Sequence, residues 1–180
     1  EGKVDSKVKS VRPYAIGAIV KGIKFDDNTI KSLMQIQEKL HITHGRNRKK
    51  VAIGVHDLDK IKFPIKYTTM PRDFSFIPLE FDKKISIDEI LKIHPKGVAY
   101  AHLLSSFEEC PIWLDSNNEV LSMPPIINGD NTKVTETTKN LFIDITGTHK
   151  KSIEYALNII LMGLFIRGGE IHSFKLNDEG

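Results

Sequence analysis

The sequence predicts an α/β protein of mixed α+β type, with a mixed, largely antiparallel sheet flanked by helices. Short apolar runs with strand-like alternation recur along the chain, and the few segments with helical periodicity interrupt them irregularly, a pattern that disfavours a doubly wound parallel fold. Neither Gly-x-Gly-x-x-Gly nor a P-loop occurs, so no nucleotide cofactor is implied. At 180 residues the chain is one domain, or two small lobes sharing a core, long enough to bury roughly 70% of its unfolded surface.

Composition narrows the class. Hydrophobic residues make up 40% and charged residues 27%, the balance of a soluble globular protein. The single cysteine, Cys110, excludes an internal disulfide and fits a reducing compartment. A net charge of +3 permits an anionic partner such as RNA without requiring one. The opening residues Glu1 to Lys9 carry no signal-peptide pattern, and the longest apolar run, Tyr155 to Ile166, is broken by Asn158 and too short to span a bilayer, so no membrane association is expected. A start without methionine suggests a piece of something larger.

Taken in order, Pro13 to Val20 reads as a first strand. Asp27 can cap a helix from Asn28 to about His41, with Ile30, Leu33, Ile36 and Leu40 as its buried stripe. His41 and His44 flank its end; without acidic or cysteine partners nearby they read as helix-end residues, and no metal site is assigned. Arg46, Arg48, Lys49 and Lys50 form a basic loop, either simply solvated or placed to meet RNA phosphates. Val51 to Val55 is a strand. The following His56-Asp57-x-Asp59 could be a metal or acid–base cluster, but a strand end with an aspartate capping a short turn explains it as well and is favoured.

Ile65 to Thr69 and Phe74 to Leu79 read as strands, with Pro71 and Pro78 confining them to edges or bends. Ser86-Ile-Asp-Glu89 is a capping box opening a helix that ends before Pro95. Val98 to Leu104 is too short to type, and His102 within it reads as a core or rim residue. Cys110, with no base adjacent in sequence, reads as inert and buried. Ile112 to Asp115 and Glu119 to Met123 flank Ser116-Asn117-Asn118 as a hairpin. From about Lys151 to Ile166 a helix is apolar on almost every side, so burial all round is expected before Gly168-Gly169 stops it; Ile171 to Leu176 returns as a strand.

The stretch from Leu121 to Thr148 gathers the features that most resemble a site. Pro124 and Pro125 fix two φ angles and predict an extended exit from the preceding strand, and Asn128-Gly129 predicts a sharp turn. In the strand Leu141 to Gly147, alternation sends Leu141, Ile143 and Ile145 to a core face and Phe142, Asp144 and Thr146 to the other. From pattern alone, a structural loop and a solvated aspartate are the favoured account of this stretch, because such turn signals mark loops more often than sites.

Leu121 to Asp130 (LSMPPIINGD), Phe142 to Thr148 (FIDITGT) and Lys50 to Asp59 (KVAIGVHDLD) resemble the editing domain of the phenylalanyl-tRNA synthetase beta subunit, of the archaeal and eukaryotic cytosolic type. Arg12 to Ala18 (RPYAIGA), Ile23 to Phe25 and Gln35 to Leu40 (QIQEKL) extend the likeness over nearly the whole chain.

The resemblance implies that residues 1 to 180 are one editing domain of a larger, cytoplasmic synthetase subunit. That subunit would partner an alpha subunit in an α2β2 heterotetramer, and this domain would meet the acceptor end of tRNA(Phe). Its reaction would be hydrolysis of tyrosine wrongly esterified to that tRNA. ATP and magnesium are expected only in the synthetic site of the full enzyme, with no cofactor for editing here. The resemblance points to Asp144 and Thr146 as the catalytic pair. Ser122 and Asn128 would line the opposite wall, Leu121 would shape the ring pocket beside Pro125, and Gly129 and Gly147 would allow close backbone approach. Arg46, Arg48, Lys49 and Lys50 would hold the tRNA backbone. A non-catalytic module that docks tRNA or packs against the synthetase is the alternative, and an acylase on another small ester a further one.

Overall fold

The computed structural model describes residues 1–178. In chain order the elements are β1 (Gly2–Val4), β2 (Tyr14–Lys21), α1 (Asp27–Ile42), β3 (Val51–Asp57), β4 (Ile65–Pro71), β5 (Ser75–Phe76), β6 (Ile85–Ser86), α2 (Ile87–Ile93), α3 (Pro95–Tyr100), β7 (Glu109–Leu114), β8 (Val120–Met123), β9 (Ile127–Asn128), β10 (Leu141–Gly147), α4 (Lys150–Ile166), β11 (Glu170–Ser173) and β12 (Leu176–Asp178). The mixed α+β class is the one observed, and strand pairing is antiparallel except where β1 meets β4 and β12. The chain forms two compact units. One comprises Glu1–Pro13, Ile61–Lys133 and the described residues from Leu176 onward; the other comprises Tyr14–Lys60 and Val134–Lys175.

The unit built from Tyr14–Lys60 and Val134–Lys175 is a four-stranded antiparallel sheet ordered β11-β2-β10-β3, with α1 and α4 packed on it. Leu141, Ile143 and Ile145 meet Ile153, Ala156, Ile160 and Leu164 of α4 and Leu33 and Leu40 of α1 in one apolar cluster, so the core face read from alternation is the core face observed. Asp26, not Asp27, caps α1, accepting from Thr29 N at 2.7 Å. The expectation that α4 is buried all round is overturned: Tyr155, Met162, Phe165 and Ile166 are exposed, because one sheet covers one stripe of a helix and no more.

β3 ends the sheet, and α1 covers its outer edge. Gln37 Nε2 donates to Ile53 O at 2.7 Å, and Ile53 N donates to His41 Nε2 at 2.8 Å. A buried strand edge thus has both polar groups of Ile53 paired by side chains.

The other unit has a six-stranded sheet, β12-β1-β4-β7-β8-β9, and the β5-β6 ribbon. Ser86 and Glu89 form the predicted capping box of α2. The exposed His102 lies in a 3-10 turn, not in the core, because the segment after Pro95 is helical and turns that side chain outward.

Pro124 and Pro125 do not carry the chain away in extended form; they are the turn of a hairpin, with Ile126 N donating to Met123 O at 2.8 Å and β9 pairing back on β8. The Pro124–Pro125 peptide is cis. Asn128 is accordingly a strand residue opposite Ser122, and Gly129 is extended at φ −75°, so the sharp turn falls four residues earlier than Asn128-Gly129 predicts.

Candidate active site

β10 is the inner strand on which Asp144 and Thr146 stand, and its register with both neighbours defines their surroundings. Thr146 lies between Ala15 of β2 and Ala52 of β3; Asp144 lies between Gly17 and Gly54; Phe142 lies between Ile19 and His56. Small residues thus flank both polar side chains on this face. Asp144 and Thr146 are nevertheless buried, at 1% and 0% exposure.

A buried carboxylate needs a partner. Asp144 Oδ2 lies 2.6 Å from His56 Nε2, which reaches it diagonally from the adjoining row of β3. His56 is fully buried and its ring stacks on Phe142 at 6.2 Å between centroids; Phe174 packs edge-on against Phe142 at 4.9 Å. Gly54 is where the carboxylate rests. A methyl group there would overlap Asp144 Oδ2 and stand 2.7 Å from His56 Nε2.

The His56-Asp57-x-Asp59 cluster therefore separates. His56 turns to Asp144. Asp57, on the opposite face of β3, accepts from Thr138 Oγ1 at 2.8 Å and caps the next turn through Asp59 N at 3.1 Å, the capping role favoured from sequence. Asp59 accepts from Asn140 Nδ2 at 3.1 Å.

In the other unit, Ser122 and Asn128 are directly opposed across β8 and β9, and Ser122 is also opposed to Trp113 of β7. Trp113 stacks on Tyr67 at 4.8 Å, so aromatic and polar side chains share one row of this sheet. Leu121 is the extra residue of a bulge in β8, between the pairs Trp113–Ser122 and Leu114–Val120, and is fully buried. Pro125 is buried in the hairpin turn. The close approach that Gly129 and Gly147 permit is to the chain's own backbone: a methyl group would strike Val120 O at the first and Lys50 O at the second.

In the basic loop, Arg46, Asn47 and Arg48 all have left-handed backbones, with φ of 48°, 52° and 67°. Arg48 is buried and pairs with Glu38 at 3.1 Å, so its charge braces the loop from within. Arg46 and Lys49 are exposed and Lys50 half-buried. Thr148 ties the loop to the end of β10, donating from Oγ1 to Lys49 O at 3.2 Å.

Cys110 is fully buried, and burial pushes its thiol up to about 11. A nucleophile needs the thiolate, so this residue is inert. His56, weighed from sequence as part of an acid–base or metal cluster and set aside in favour of a strand end with a cap, is the side chain that pairs with the predicted catalytic carboxylate. Its strand parity with Gly54 was legible, but its partner was not.

Comparison with known proteins places the chain. A family model described as B3/4 domain matches residues 11–160. The Phenylalanine–tRNA ligase beta subunit of Archaeoglobus fulgidus is 49% identical over 96% of this chain and 31% of its own length. That of Methanosarcina barkeri is 50% identical over 96% of this chain and 32% of its own. The crystal structure of an N-terminal fragment of the phenylalanyl-tRNA synthetase beta subunit from Pyrococcus horikoshii superposes with a TM-score of 0.96 at 42% identity, covering 99% of this chain and 52% of that one. The chain thus spans about a third of the length of the curated relatives it matches. This chain belongs to the B3/4 domain family.

Proposed function

We propose that this chain is the editing domain of a phenylalanine–tRNA ligase beta subunit and hydrolyses tyrosine wrongly esterified to tRNA(Phe). The observation that carries the chemistry is the buried Asp144 carboxylate, paired with His56 and flanked by glycines on both sides. The names of the relatives, phenylalanine–tRNA ligase beta subunits, support tRNA(Phe) as the RNA. In the whole protein, an alpha subunit, an α2β2 assembly, the tRNA acceptor end and a cytoplasmic setting belong to the same proposal.

A synthetic pocket shaped for a phenyl ring rejects a ring bearing one more oxygen only weakly, so a second, hydrolytic site is needed. The ester is already activated. Water adds to its carbonyl carbon, the bond to the ribose oxygen breaks, and free tyrosine and the ribose hydroxyl leave. Asp144 orients the water or the substrate amino group, and Thr146 contacts substrate; placement and a few aimed polar groups are sufficient without a nucleophilic triad.

Deacylation of tyrosine-charged and phenylalanine-charged tRNA(Phe) by this chain tests the proposal. Each buried group left unpaired by phenylalanine costs about 1 to 3 kcal/mol, so one phenol contact gives a preference for tyrosine of roughly five- to over a hundredfold. Asp144→Ala lowers the tyrosine rate at least about tenfold with the fold intact. Thr146→Val in one unit, and Ser122→Ala and Asn128→Ala in the other, are run in parallel; the variant that erases the preference while keeping the tyrosine rate identifies the group that reads the phenol. Equal rates on the two charged tRNAs refute editing.

A further inference from the structure

A carboxylate on a sheet face is a poor positioning group unless something sets its rotation, because the terminal torsion of aspartate is broad and two-fold. The cross-strand neighbours of Asp144 supply no side-chain wall: Gly17 stands on one flank and Gly54 on the other. The Gly17 flank is taken by the ring of Phe142, which a methyl group at Gly17 would meet at 3.1 Å. The Gly54 flank is where the carboxylate lies, overlapping the place a Cβ would occupy. There it meets Nε2 of His56 at 2.6 Å, short for a bond from nitrogen. In this bond the ring N–H donates and the carboxylate oxygen accepts. The imidazole is itself held in place, fully buried and stacked on Phe142.

We infer that His56 is a positioning residue for Asp144: its Nε2–H holds Oδ2 against β3, over the space that Gly54 leaves open, and so presents the carboxylate to the ester in one orientation. The inference rests on the proposed role of Asp144. Two residues of one strand then do different parts of one task, Gly54 by lacking a side chain and His56 by supplying a donor. Both lie on the same face of β3 as a consequence of their spacing of two. A pair that merely stabilised the sheet would tolerate any change at these positions that left the protein folded. A pair that aims the carboxylate would not, because displacement by about 1 Å is enough to cost up to a hundredfold in rate.

The test compares three variants with the parent chain and with Asp144→Ala, each checked for folding by circular dichroism and assayed for turnover of tyrosine-charged tRNA(Phe). His56→Leu removes the donor and keeps bulk; kcat falls about ten- to a hundredfold with KM little changed. His56→Gln restores an N–H donor near the position of Nε2, and kcat recovers to within about threefold of the parent. Gly54→Ala removes no polar group but pushes Oδ2 off β3 and crowds His56 Nε2; both clashes are with the ends of side chains, so the fold yields by turning Asp144 aside, and kcat falls as for His56→Leu.

Should His56→Leu fail to fold, Gly54→Ala and His56→Gln decide. Parental kcat in folded His56→Leu or in folded Gly54→Ala, or a loss of about tenfold or more in His56→Gln, overturns the inference. These results are distinguishable from failure of the editing reading, in which Asp144→Ala itself keeps the parental rate.

Discussion

Cys110 and Asp144 are both buried in strands, and of the two Asp144 has a side-chain hydrogen-bond partner, His56, at 2.6 Å. For Cys110, burial raises the thiol to about 11, with a weaker opposing pull from Arg72. At neutral pH the thiolate is therefore about a hundredfold scarcer than at an ordinary cysteine. Alkylation by iodoacetamide should be negligible in the native protein and rapid in denaturant; comparable labelling in both states contradicts this account. The face on which Asp144 stands was legible because alternation is a local property of seven residues. His56 was not assigned to it because the bond that gives it meaning spans 88 positions of chain, and strand register across such a gap has no local signature. Gly54 was equally silent: a glycine in a strand signals a close approach, but not by what.

Among the elements, the edge strand β3 shows how a helix can stand in for a missing strand. Ile53 is buried, and its carbonyl and amide are paired by Gln37 and His41 of α1. Gln37→Ala or His41→Ala leaves one of these backbone groups unsatisfied and lowers stability by about 1 to 3 kcal/mol each. Because both act on one residue, the double variant should depart from the sum of the singles; strict additivity in denaturant melts would show that the two contacts are independent. The capping box of α2 was readable from four residues, since both halves of it are local. The hairpin at Pro124-Pro125 was not. Each proline fixes its own φ, which suggests extended chain, whereas the reversal depends on β9 having β8 to pair with. The outward face of α4 misled for a related reason: composition reports how apolar a helix is, not how many neighbours it has.

For the molecule as a whole, a net charge of +3 is too small to predict a nucleic-acid partner, and what matters is which charges are available to one. Of the four basic-loop residues, Arg48 is engaged with Glu38, whereas Arg46 and Lys49 are exposed. If the loop holds tRNA, Arg46→Ala with Lys49→Ala should weaken binding and flatten the salt dependence by about 0.7 to 0.9 per lost phosphate contact, with little effect on hydrolysis of a minimal ester. Arg48→Ala should instead lower the melting temperature with little change in that slope. An unchanged slope in the double variant leaves the loop merely solvated.

The pairing of β1 with β12 has a mechanical consequence. These two strands run parallel, Gly2 opposite Leu176 and Val4 opposite Asp178. Tension applied before Gly2 and after Asp178 pulls them along their length in opposite senses, so their cross-strand bonds are loaded together in shear instead of parting one at a time like a zipper. Carried within a longer polypeptide under load, the domain would resist extension at this seam, and the strands bearing the site would feel the force only after it slipped.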